Sequence, residues 1–400
     1  MIINDSIKRC DNHYSYVLGP GEELDLFSLV RGRYEAERIS KQYLWKRTVP
    51  DYAFNVLNYL GLLYRPVVDE DYLRSGGSKP SWPNGQSFAV CLTHDVDHVS
   101  QYNIKEYYRR ELGFSENASS TVNKIKKIAG LGWDIVRISM HKMKQDPLHC
   151  LERWLEVENK IGTNSTFFFW PGWKAVRRHH YSDCLYDMED RIIFDGQRCI
   201  VAEMIREIDH RGWEIGLHSS WYSFADADEM KRQKEVLEKT LGRDVVSVRQ
   251  HFLHYDIRIT PLVHAAAGFR YDSTLGFNDN VGFRLGTCYI RRLFNLEANI
   301  ELNIFEVPLI IQDGAMLNPM KGMRLDEETA FQYVKQIAES VKRVGGILTL
   351  LWHPCSILKP QWWMLYQRSI EYLNNQSAYL GSLRRIGEIW ENNNLRCSND

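Results

Sequence analysis

Short apolar runs recur between residues 87 and 353, and each gives way abruptly to polar or ionisable positions. They read SFAVCLTHDVD (87–97), STFFFW (165–170), WEIGLH (213–218), VVSVRQHF (245–252), FRYDST (269–274), IFEVPLII (304–311) and GILTLLWH (346–353). Their β-branched and aromatic content, with little alternation, predicts strands buried on both faces. Between them the apolar period lengthens to that of a helix. LHCLERWLEVENKIG gathers Leu148, Leu151, Trp154, Leu155 and Ile161 on one face. DEETAFQYVKQIAESVKRVGG opens on Asp326, suited to an N-cap, and closes on Gly345, suited to a helix end. Buried strands joined by helices predict a parallel sheet covered on both sides. Seven of them fit a closed or nearly closed α/β barrel, and an open doubly wound sheet gives the same alternation.

The breaker cluster SGGSKPSWPNGQ (75–86) divides the chain. Residues 1–75 carry helical patterning, as in YAFNVLNYLGLLY, and predict a small, mainly helical N-terminal domain with no assignable chemistry. Residues 76–86 are the linker, and 87–400 the barrel. Residues 98–147 exceed a normal crossover and contain basic stretches such as NKIKKIAG, so they read as a helical insertion with a solvated face, or as a lid.

Composition narrows the classes. The formal net charge of −1 over 400 residues gives no electrostatic footprint for nucleic acid or an anionic membrane. No apolar run approaches the ~18 residues of a membrane span. The first residues lack a basic region followed by an apolar stretch, which predicts a cytoplasmic protein. Eight cysteines without C-x-x-C spacing argue for reduced thiols, against a disulfide framework or a zinc ribbon. Twelve Trp and 21 Tyr suit either sugar stacking or core packing.

In parallel α/β folds the chemistry collects at the C-terminal ends of strands. Here those ends carry Asp95 and Asp97, His218, Arg249 and His251, Asp272, and His353. The i, i+2 spacing of Asp95 and Asp97 points both carboxylates to one face, and places His94 on the other.

This set resembles the polysaccharide deacetylase family, also called carbohydrate esterase family 4 or the NodB-homology domain, over roughly residues 87–355. The resemblance implies a distorted (β/α)7-type barrel, a divalent metal, usually zinc, and hydrolysis of N-acetyl groups from amino sugars. THDVD matches the first motif in a D-x-D variant, with Asp95 in the position of the catalytic base and Asp97 in that of a metal ligand. HSSWY matches half of the second: His218 fits a metal ligand, and Tyr222 stands where a second His is expected. VRQHF supplies Arg249 to orient the base, with His251 where relatives have Pro. YDST supplies Asp272, expected to favour the imidazolium of His353, and LWH supplies His353 as general acid. A backbone N–H near Phe252 is expected to meet the oxyanion.

Catalytic zinc usually has three protein ligands, so one must replace the missing His. His251 is the first choice, His94 and His98 are the alternatives, and Tyr222 suits a hydrogen-bonding role behind the ligands. Outside the motifs, Arg284 in GFRLGT reads as a turn or an anion-binding rim loop. Asp313 reads as a cap or a sugar contact. Trp170 and Trp173 read as core or as stacking surfaces, and RRHHYS (177–182) as an exposed loop without metal. The expected function is N-acyl hydrolysis on an acylated amino sugar or glycan intermediate in surface polysaccharide assembly. The alternatives are a hydrolase of non-sugar amides or glycosidic bonds on the same barrel, and a non-catalytic glycan-binding protein.

Overall fold

The computed structural model describes residues 7–10, 13–19, 22–41, 55–101 and 146–395. Most of the insertion expected at 98–147 lies outside the described residues. The N-terminal segment holds a small antiparallel sheet of β1 (Ile7–Cys10), β2 (His13–Gly19) and β3 (Glu22–Glu23) as well as helices at Leu26–Val30, Arg33–Lys41, Val56–Tyr59 and Val67–Arg74. The alternation in HYSYVLG is too short to separate a strand from its helical surroundings in sequence. Leu24, Leu29, Leu57, Leu62, Leu63, Val67 and Val68 form a separate apolar cluster that takes in Phe277 from the barrel. The buried Asp69 carboxylate accepts from Thr287 Oγ1 at 2.6 Å and from the Cys288 N–H at 2.7 Å, joining this segment to the barrel's loops.

The main sheet begins with β4 (Phe88–Val96), buried along its whole length, and β5 (Thr166–Phe169) pairs parallel to its second half. The hairpin β6 (Arg191–Phe194) and β7 (Gln197–Ile200) stands apart. Then β8 (Glu214–Ser219), β9 (Ser247–Gln250) and β10 (Tyr271–Asp272) add in parallel, in that order outward from β5. β11 (Arg291–Asn295) runs antiparallel to β12 (Ile300–Glu306) at that end. After Val307 and Pro308 the chain resumes as β13 (Leu309–Gln312), parallel to β14 (Ile347–Leu351), which lies against the other edge of β4. β15 (Ala378–Gly381) pairs with the first half of β4.

One stretch of chain, 300–312, therefore pairs with β10 through its first half and with β14 through its second. The kink at Pro308, which cannot donate to a ladder, lets it leave one neighbour and join the other. The sheet curls so that both its ends meet on this stretch, giving the expected distorted (β/α)7-type barrel. Its walls are made by strands such as Thr166–Phe169, where all three phenylalanines are fully buried, each contributing about 1.5–3 kcal/mol by removal from water. Helix Glu327–Val344 has the predicted ends. The Asp326 side chain accepts from the Thr329 N–H at 2.8 Å, and Gly345 takes the left-handed conformation with φ 74°.

Candidate active site and metal centre

At the C-terminal mouth of the barrel, β8 and β9 pair His218 opposite Arg249. Strand parity puts Arg249 and His251 on the same side, and Thr93, Asp95 and Asp97 on the inner side of β4. The Asp97, His218 and His251 side chains each offer an atom within 4.8 Å of the others. His218 Nε2 lies 3.2 Å from Asp97 Oδ1 and 2.8 Å from His251 Nδ1, and His251 Nδ1 lies 3.6 Å from the same carboxylate oxygen.

The far nitrogens decide what these near atoms are. His218 Nδ1 faces the Arg249 carbonyl at 3.1 Å, and His251 Nε2 faces the Ser182 carbonyl at 2.8 Å. A carbonyl only accepts, so each far nitrogen must carry the proton. In the neutral imidazoles the near nitrogens are then lone pairs, and they converge with a carboxylate. Three acceptors facing one another repel unless a cation or an extra proton lies between them, and imidazoles oriented by backbone carbonyls are the usual support of a metal ligand. The donor set fits a divalent metal.

Asp97, although burial acts against its charge, is held well below the ordinary carboxylate range by the hydrogen bond to His218 and by the charges of His251 and His353. Burial favours neutral His251, and its pKa is lowered. His218 is raised: the carboxylates of Asp95 and Asp97 outweigh its burial.

Two further pairs flank this cluster. On one side Arg249 Nη1 lies 3.3 Å from Asp95 Oδ1 and donates to Thr93 Oγ1 at 2.9 Å, while Nε and Nη2 donate to the carbonyl and hydroxyl of Ser273 at 2.7 and 2.8 Å. Every face of this buried guanidinium is fixed, so it presents one edge to Asp95. On the other side His353 Nδ1 lies 2.7 Å from Asp313 Oδ1, and its backbone N–H donates to Asp313 Oδ2 at 3.0 Å. His353 Nε2 then points inward, 3.8 Å from Asp97 Oδ2. Burial alone would strip the proton from His353, but the charge and hydrogen bond of Asp313, with Asp97 and Asp95 beyond, hold its pKa up at about 10.

Several sequence expectations meet a different arrangement. Asp272 does not support His353. It is fully buried, with Oδ2 2.7 Å from His264 Nδ1 and Oδ1 accepting from Thr274 Oγ1 at 2.5 Å. Asp313, read from sequence as a cap or sugar contact, holds His353 instead, because β13 ends beside β14. His94 lies on the outer face of β4, where Nδ1 meets the Trp352 carbonyl and Nε2 meets Glu158, both at 2.7 Å. His98 is not in the cluster. Tyr222 touches no ligand; its ring lies under the Arg178 guanidinium at 3.7 Å. Trp170 is fully buried, Trp173 stacks on His179, and Arg284 is buried in an ion pair with Glu35. Phe252, just after the ligand His251, has a φ of 57°, unusual for a bulky residue, and 43% of its surface is exposed at the rim.

No family model and no curated protein matches the sequence. Among solved structures, a protein named as a polysaccharide deacetylase from Mycobacterium smegmatis superposes with a TM-score of 0.51 at 20% identity, over 79% of this chain and 94% of that one. The chain has the fold of the polysaccharide deacetylases. Two further structures superpose less closely. PuuE allantoinase has a TM-score of 0.49 at 15% identity, over 80% of this chain and 95% of its own. A protein named as a probable polysaccharide deacetylase from Pseudomonas aeruginosa PAO1 has a TM-score of 0.47 at 15% identity, over 78% and 94%. In the deacetylase fold described here, the Asp97, His218 and His251 cluster and its two flanking pairs lie together at the C-terminal mouth of the barrel. Among the described residues no helix is long and apolar enough to cross a membrane.

Proposed function

We propose that this protein is a metal-dependent hydrolase that removes an N-acyl group of acetyl type from an amino sugar or glycan intermediate. One observation carries the reading. Three lone-pair acceptors, from Asp97, His218 and His251, converge between an Asp95–Arg249 pair and a His353–Asp313 pair. Two imidazoles and a carboxylate are a ligand set suited to zinc with an open position. Such an ion, when bound, acidifies a bound water and polarises an acyl oxygen.

The chain's own residues divide the remaining work. Asp95 takes a proton from the attacking water, and Arg249, 3.3 Å from its Oδ1, orients it. His353, protonated through Asp313, delivers a proton to the departing nitrogen, which is a poor leaving group as an amide anion. The backbone N–H beside Phe252 faces the developing oxyanion. The new carbon–oxygen bond comes from water and the carbon–nitrogen bond breaks. The proton gained by Asp95 balances the one lost by His353. A glycosidase would leave Arg249 and the two-histidine cluster without a task. The non-catalytic reading rested on Tyr222 in place of a second His, and His251 supplies the missing donor.

The deciding experiment measures metal content by elemental analysis, and N-deacetylation of N-acetylglucosamine oligomers, for the wild type and Asp95→Asn. About one ion per chain in both, with turnover abolished in Asp95→Asn, is the expected result. A metal-free wild type after zinc reloading, or an unimpaired Asp95→Asn, would sink the proposal.

A further inference from the structure

The rim of the barrel mouth carries a second recognition element that the chemistry above does not use. Residues 177–183 reach the metal cluster directly, since the Ser182 carbonyl fixes His251. This segment is held at several points. Ser182 Oγ lies 2.6 Å from His180 Nδ1, the buried Asp183 carboxylate accepts from the N–H groups of Trp221 and His180 at 2.9 and 2.7 Å, and His180 stacks on Trp221 with ring centres 4.1 Å apart. From this support two arginines project into solvent. Arg177 approaches Glu229 at 3.9 Å. Arg178 has no carboxylate within ion-pairing distance among the described residues, and its guanidinium lies on the face of Tyr222.

A guanidinium stacked on an aromatic ring is fixed in plane, and its charge is only partly satisfied by the ring. Its hydrogen-bonding edges stay free, and they match the oxygens of a carboxylate or phosphate. Arg178 stands four positions before Ser182, at most about 15 Å of chain from the residue whose carbonyl fixes His251, so a charge held there belongs to the same rim. Exposed Tyr181 and Phe252 flank the approach with apolar surface, at 79% and 43% exposure. The metal position vacated at Tyr222 therefore has a use: with His251 as ligand, Tyr222 is free to carry Arg178.

We propose that Arg178, held flat on Tyr222, binds an anionic group, carboxylate or phosphate, carried by the substrate next to the acylated sugar. This rests on the deacylase reading and adds to it the charge of the substrate.

The test uses the full chain carrying Asp95→Asn, so that probes are not consumed, and measures dissociation constants by calorimetry at low and physiological salt. The probes are a neutral N-acetylglucosamine tetramer, a hyaluronan tetramer with carboxylates, and UDP-N-acetylglucosamine with phosphates. At least one anionic probe is expected to bind roughly tenfold tighter than the neutral one, the worth of about 1.4 kcal/mol. Arg178→Met should erase that preference, Arg178→Lys should restore part of it, and neutral binding should stay within about twofold. The probe that responds tells carboxylate from phosphate. The proposal is overturned if neither anionic probe binds better than the neutral one, or if Arg178→Met leaves the preference intact. Wild-type turnover of the same probes separates the two claims. Arg178-dependent binding without hydrolysis would retain the rim and remove the deacylase reading, and hydrolysis indifferent to Arg178 would do the reverse.

Discussion

His94 and Asp95 are neighbours in one strand, both buried, and they head two ionisable clusters on opposite faces of β4. Behind the strand the cluster is closed. His94 meets the Trp352 carbonyl and Glu158, while Glu158 also accepts from Trp213 Nε1 at 2.6 Å and from the Tyr366 hydroxyl at 2.7 Å. Both imidazole nitrogens are engaged, one by the Trp352 carbonyl and one by the Glu158 carboxyl. Every polar atom of the pair is satisfied, and nothing is left for a ligand. Inside the barrel the cluster is open: Asp97, His218 and His251 bring their potential ligand atoms together, and His353 Nε2 points at them. Buried charge does two jobs here. The closed group fixes where the strands carrying Asp95 and His353 lie relative to each other, and the open group is free to react.

This contrast breaks most sharply at Asp97. Asp97→Ala should lower deacylation by on the order of 10⁴-fold or more, because a bound metal supplies several kcal/mol of barrier lowering, and should remove metal measured by elemental analysis, with little loss of stability. The reverse signature belongs to Glu158→Ala. Removing one partner of a buried pair costs about 3–5 kcal/mol, so chemical denaturation should show a large drop in midpoint while metal content of the folded protein persists. A variant that lost metal but not stability would assign Glu158 to the wrong cluster.

Asp313→Asn sharpens the comparison within the open cluster. General acid catalysis is worth about 10²–10⁴-fold, and the turnover rate should fall by roughly 10²-fold. The sign of the pH effect follows from the raised pKa of about 10 at His353, which the Asp313 carboxylate maintains. With that charge removed the imidazolium loses its proton at lower pH, so the alkaline limb of the rate profile should move downward in pH. An unmoved limb would separate Asp313 from the proton donor. The smallest effect is expected far from both clusters: Asp326→Ala removes one helix cap and should cost about 1 kcal/mol in denaturation, with turnover unchanged.

How far the sequence carried these conclusions depends on the range of each interaction. Six strand runs and the ends of helix Glu327–Val344 were readable because they rest on local periodicity and local capping, whereas IFEVPLII, read as one strand, is split after Glu306 into two. The outward placement of His94 was readable too, since parity along a regular strand needs only adjacent residues, although His94 stayed among the alternatives for the third ligand. The partner of His353 was not. Asp272 has the expected residue type near a strand end, but His264, eight residues earlier, folds back to take it. Asp313 reaches His353 through the pairing of Gln312 with Leu351, which depends on the barrel closing after the kink at Pro308. No pattern in EVPLIIQD announces that closure. The N-terminal strands escaped for the opposite reason: they are too short for their alternation to stand out.

The position of β4 in the sheet has a consequence for how the molecule comes into being. Its edges are covered by Ile347–Leu351 and Ala378–Gly381, so that Phe88 pairs with Ala378, 290 residues later. Such distant pairing pays its chain-closure entropy before any contact rewards it, and slows folding. During synthesis β4 emerges long before these partners, an apolar strand with unpaired edges and a hazard for association with other chains. The Asp95 and His353 arms meet only when the last strands arrive, so hydrolytic competence should appear as the final event of refolding, after most helical signal has returned.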